Sequence, residues 1–147
     1  MRYSHNYLFE PGLWSAKGLF YDRQENPHSY GGEIVVIHEP GLWTIETRMN
    51  ISGEDKRDFE ARYEVVPFSE NKNYTEWKSM TGGPEPLFGL FVVVEDTILT
   101  PSQSRSGVYW GQEAHIRVGK GEYSNRGFSF LKDEKVSSWS MRLIKEN

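Results

Sequence analysis

Trp43-Thr44-Ile45-Glu46-Thr47-Arg48-Met49-Asn50-Ile51 is the stretch that decides the fold class. Its odd positions are mostly apolar and its even positions polar, the period of two that turns alternate side chains to opposite faces of a strand. Phe59, Ala61, Tyr63 and Val65 alternate in the same way with Asp58, Glu60, Arg62 and Glu64. Ser52 and Asp55 offer an alternative start for a short helix there, but the alternation running on into Val66 favours a strand. Val108, Trp110, Gln112, Ala114, Ile116 and Val118 alternate against Tyr109, Gly111, Glu113, His115 and Arg117. A last run sets Trp139, Met141 and Leu143 against Ser138, Ser140 and Arg142, and nothing comparable recurs at the helical period.

Outward from these runs, turn residues punctuate the chain: Pro11-Gly12, Asn26-Pro27, Gly31-Gly32, Pro40-Gly41, Gly82-Gly83-Pro84, Gly119-Lys120-Gly121 and Lys132-Asp133. Proline presets a negative φ and glycine accepts a positive one, so these groups reverse the chain. They mark nine or ten strands, expected near 13–21, 31–38, 42–51, 58–67, 74–80, 87–95, 97–100, 107–118, 122–131 and 136–145. Short connections make consecutive strands antiparallel neighbours. No low-complexity linker interrupts them, so residues 1–147 read as a single domain in which residues 1–12 form an N-terminal extension. A long open meander leaves edges that template aggregation, and closure removes them. The expected fold is all-β, an antiparallel up-and-down meander closed into a barrel of about 8–10 strands.

At 147 residues the chain can bury one real core without staples. Seventeen Lys and Arg against 21 Asp and Glu leave a formal charge of −4, which disfavours a sequence-independent grip on polyphosphate. No nucleic-acid partner is expected. With no cysteine, disulfide scaffolds, cysteine-ligated metals and thiol nucleophiles are excluded. The N-terminus lacks the apolar run of a secretory signal, and no stretch is long enough to span a bilayer. A cytoplasmic location without membrane insertion is expected.

Glu10-Pro11-Gly12-Leu13-Trp14 is echoed by Glu39-Pro40-Gly41-Leu42-Trp43, and both copies suit a type II turn that launches a strand. The first copy carries a further likeness. Gly12-Leu13-Trp14 resembles the Gly-x-Trp of the calycin superfamily, the lipocalins and fatty-acid-binding proteins, on their first strand. Arg142 resembles the late arginine that packs across that tryptophan at the closed base, whereas the Thr-Asp-Tyr element of many lipocalins is missing. The resemblance implies an up-and-down barrel holding a small, largely apolar ligand, with Trp14 and Arg142 as its closure. Cation–π packing explains that pair without a ligand role.

With the apolar parity taken as inward, the lumen receives Trp43, Met49, Tyr63, Trp77, Phe91, Trp110 and Phe128 or Phe130, and Gln112 is the polar exception. Aromatic walls with a few fixed polar groups are the chemistry of a small-molecule site, although aromatic rings also fill dry cores. Glu33 would be a desolvated acid or base if it faced inward with Val35 and Ile37, and an exposed rim residue otherwise. Glu113 and His115 share a face and would reach a metal or relay a proton only with a partner such as His38; beside Tyr109 and Arg117 they read as a surface charge cluster. Arg126-Gly127-Phe128-Ser129-Phe130-Leu131 looks like part of an RNA-stacking strand, but the helix-poor, acidic chain contradicts that context.

These readings converge on a binding protein that holds a small apolar or amphipathic molecule, with Gln112 orienting it. It needs no cofactor and no metal. The alternative is a cofactor-free lyase or isomerase acting on a small organic acid through Glu33, Arg48 and Tyr63. A homodimer pairing aromatic surface is a third possibility for its contacts.

Overall fold

Ten strands form where side chains alternate: β1 (Gly12–Tyr21), β2 (Pro27–Glu39), β3 (Leu42–Ile51), β4 (Arg57–Val65), β5 (Tyr74–Ser79), β6 (Leu87–Val94), β7 (Thr97–Ser104), β8 (Tyr109–Gly119), β9 (Glu122–Leu131) and β10 (Glu134–Lys145). They are seen in a computed structural model that describes residues 4–53, 56–80 and 85–146. The turn expected at Gly82-Gly83-Pro84 and the helix-capping Asp55 lie outside those residues. Every consecutive pair is antiparallel, and β1 also pairs with β10 from Trp14↔Lys145 to Tyr21↔Ser138. The meander thus closes on itself as a ten-stranded barrel with no open edge.

Two strands are longer than the turn residues implied. Gly31-Gly32 lies inside β2 rather than in a turn, because β2 starts at Pro27, a strand's first residue being a place proline tolerates. A side chain at Gly32 would strike the Arg48 carbonyl, so this glycine serves close approach of β2 and β3. β7 runs through Pro101 to Ser104. The β6–β7 ladder lapses between Gly89↔Ser102 and Val92↔Leu99. Leu90 falls opposite Pro101 in that gap, and its carbonyl accepts the Trp77 indole N–H at 3.1 Å. The two Glu-Pro-Gly-Leu-Trp copies also differ. Gly41 has φ +79°, as a tight turn requires, whereas Gly12 is an ordinary strand residue at the start of β1.

One end of the barrel is sealed by the segment before β1. His5, Asn6, Tyr7 and Leu8 are all buried, although Leu8 holds φ 76°. The Tyr7 ring meets Trp14 edge-on at 5.3 Å and stacks on His115 at 4.8 Å. His5 Nε2 lies 2.8 Å from the Glu95 carbonyl, which only accepts, so Nε2 carries the proton and Nδ1 accepts from the Tyr123 hydroxyl at 2.7 Å. His38 Nε2 donates in the same way to the Leu8 carbonyl at 2.8 Å. Trp14, Val36, Val65, Ile98, Tyr123 and Leu143, each nearly or fully inaccessible, pack around this plug.

The closure differs from the one the resemblance implies. Trp14 is fully buried, but Tyr7 and Tyr123 pack against it rather than Arg142. Met141 and Leu143 point into the core, so alternation turns Arg142 outward, where it pairs with Glu122 and stays 57% exposed.

Candidate functional site

The opposite half of the barrel encloses a cavity of about 360 Å³ bordered by residues of all ten strands. Met49, Tyr63, Trp77 and Phe91 line it, as the odd-position parity of β3 to β6 requires. Tyr63 meets the Trp77 indole edge-on at 5.1 Å, and that indole is pinned by a second bond to Thr100 Oγ1 at 2.9 Å. Trp43 does not reach the cavity. It faces inward at the sealed end, where its ring lies parallel to His38 at 4.0 Å and edge-on to Phe9.

On β8 the face that looked apolar is the outer one. His115 is buried and Glu113 turns to the lumen, so alternation sends Trp110 and Gln112 outward. Trp110 borders the cavity at its open end, yet it is 39% exposed, stacks on Phe130 at 4.5 Å and donates to the Lys132 carbonyl at 2.8 Å. Phe128 and Phe130 likewise sit on the outer face of β9, because Tyr123 and Asn125 are its buried residues. The register explains the shared inversion: Trp110 pairs with Phe130 and Gln112 with Phe128, which collects one aromatic cluster on the outside. Gln112 still borders the cavity, with its Oε1 buried and without a hydrogen-bond partner among the described residues, but the inner face of β8 carries its neighbour Glu113.

Glu113 Oε2 accepts the Trp139 indole N–H at 2.8 Å, and Oε1 stands 3.7 Å from His115 Nε2. Glycine makes this possible. Gly127 lies directly across from both Glu113 and Trp139, and any side chain there would strike the indole. Burial holds the His115 pKa below its ordinary value against the opposing pull of Glu113, so the ring is neutral at neutral pH. Burial pushes the Tyr7, Tyr30 and Tyr63 hydroxyls well above the usual phenol range, and the Glu113 charge adds to each. These hydroxyls stay protonated and able to donate. Asn125, paired with His115 across the ladder and 1% exposed, leaves both side-chain amide atoms without a hydrogen-bond partner among the described residues.

Two groups of expected residues do not assemble. Glu33 is exposed beside the outward Val35 and Ile37, because Ile34 and Val36 take the inner face of β2. Arg48 is 78% exposed and paired with Glu60 on the outer wall at 3.3 Å. Only Tyr63 of the Glu33, Arg48 and Tyr63 set meets the lumen. Glu113 and His115 are not a surface cluster, and His38 is committed to Leu8 at the sealed end. Sequence reasoning missed Trp139 and Asn125 as site residues, and singled out Glu113 but read it as part of a surface cluster. The signal was the glycine opposite Glu113, which leaves room for an indole.

No protein-family model matches the chain, and no curated protein matches it in sequence. Solved structures do match in shape. The S-type phycobiliprotein lyase CPES from Guillardia theta superposes with a TM-score of 0.68 at 8% identity, covering 96% of this chain and 91% of that one. EF1p2_mFAP2b bound to DFHBI superposes with a TM-score of 0.58 at 12% identity, covering 99% and 100%. A closed meander barrel with these structural neighbours has a calycin-like fold.

Proposed function

We propose that this protein binds a small amphipathic molecule inside the barrel. The observation that carries the reading is the cavity of about 360 Å³, within the range of small-molecule sites, walled by aromatic and aliphatic side chains and furnished with a few fixed polar groups. The apolar wall supplies affinity through area removed from water. Glu113, Asn125 and the tyrosine hydroxyls supply orientation, because each becomes costly when desolvated without a partner. That a structural neighbour, EF1p2_mFAP2b, is seen bound to the small molecule DFHBI supports a ligand-binding reading. The lyase reading loses its residues, since Glu33 and Arg48 stand on the outer wall.

Native mass spectrometry of the gently purified protein tests this. A recurrent adduct of small-molecule mass that denaturation releases is the expected result. A clean apo mass, together with no change in tryptophan emission across a panel of amphiphiles, would end the reading.

A further inference from the structure

The charges around the cavity are of one sign. Glu113 inside and Glu85 at its border are carboxylates, and no lysine or arginine lines it among the described residues. Arg48 pairs with Glu60, Arg62 with Glu46 and Glu64, Lys78 with Glu64 and Lys135 with Glu25, while Arg117, at the parity of Glu113 on β8, lies toward the sealed end near His5 and Tyr123 and outside the cavity lining. Glu113 therefore meets its charge only with neutral donors, chiefly the Trp139 N–H at 2.8 Å. A partly buried carboxylate such as Glu113, 29% exposed, makes its strongest hydrogen bonds with a donor that also carries positive charge. Tyr63, Trp77 and Trp139 line the same cavity, and aromatic rings of this kind attract cations to their faces. Asn125 adds an unpartnered amide, one acceptor oxygen and one donor nitrogen, on the same inner face, diagonal to Glu113 across β8 and β9. Diagonal neighbours of this kind on one face lie within reach of each other's longer side chains.

We infer that the ligand is a protonated amine on an apolar body, its ammonium group set against Glu113 and Asn125 and its hydrocarbon or ring portion against the aromatic wall. An ammonium has three donors and no acceptor, which suits the Glu113 and Asn125 oxygens. A carboxylate-headed ligand would meet Glu113 as a like charge with no cation to offset it. This rests on the ligand-binding reading above, and names the head group.

Octylamine, 1-octanol and octanoate share one apolar body and differ only in head group, so their binding to the full chain at pH 7, followed by calorimetry, isolates the charge. Octylamine is expected to bind about tenfold or more tightly than octanol, and octanoate weakest, as a charge-assisted hydrogen bond implies. In Glu113→Gln, whose amide oxygen still accepts from Trp139, the ratio of octylamine to octanol affinity should fall toward one. Octanol or octanoate binding as tightly as octylamine to the wild-type protein would overturn the amine assignment and leave ligand binding intact. If none of the three binds, the cavity is not a site for such amphiphiles and both readings fall. The wild-type ranking decides the matter even if the variant does not fold.

Discussion

The Trp139 indole N–H is held 2.8 Å from Glu113 Oε2, with its ring lying over Gly127 between them. One cross-strand glycine thus positions both the wall and the polar focus of the cavity. Gly127→Ala would place a methyl group inside the indole, which cannot bend away as a flexible chain does. The expected loss is about 1–3 kcal/mol of stability, read by urea unfolding, as a clash at a close backbone-to-ring contact implies. An unchanged midpoint would mean that the indole is not seated there.

Tryptophan emission separates inner from outer rings. Trp77 and Trp139 border the lumen, whereas Trp110 lies in the outer cluster with Phe128 and Phe130. A ligand-dependent emission change should shrink in Trp77→Phe and Trp139→Phe and persist in Trp110→Phe. The reverse pattern would place the ligand on the outer face.

Acid should loosen the sealed end. Burial is the main cause lowering the pKa of both His5 and His115 from the ordinary 6.5. Below that value the unfolded chain takes up these protons before the folded one does, so stability is complete above about pH 6.5 and falls as pH drops toward the folded-state values. His5→Gln, which keeps a donor for the Glu95 carbonyl, should flatten part of this slope in thermal unfolding across pH 4–8.

Closure by Tyr7 rather than Arg142 has a direct test. Tyr7→Ala removes a ring packed against Trp14, His115 and Tyr123, with an expected cost of about 3–5 kcal/mol. Arg142→Ala removes one half of an exposed ion pair and should change stability by less than about 1 kcal/mol. A larger effect at Arg142 would restore it to the closure.

The strands were legible because most of them separate polar from apolar residues cleanly. β3 and β4 do so, and their inner faces are as the alternation implies. β8 was legible as a strand but not in its facing. Val108, Trp110, Ala114, Ile116 and Val118 look like core residues, yet parity about the buried His115 places them on the outer wall. Apolarity indicates facing only where the interior is dry, and here the interior keeps a carboxylate, an amide and a histidine. The facing of β9 failed for the same reason, since Phe128 and Phe130 follow Gln112 and Trp110 through the register. The plug was missed because a segment before the first strand has no period to read. Its sign was the density of rings in His5-Asn6-Tyr7-Leu8-Phe9, too apolar for a solvated extension.

The pairing of β1 with β10 also bears on how the chain acquires its shape. Trp14 must find Lys145, and contacts so far apart in sequence carry the largest loop-closure entropy and belong to slow-folding topologies. Until β10 has left the ribosome, β1 has no partner for the edge that it gives to β10 in the barrel. Only when β10 arrives does the clasp shut, so the interval before that moment is when the nascent chain is most exposed to aggregation or to capture by a chaperone.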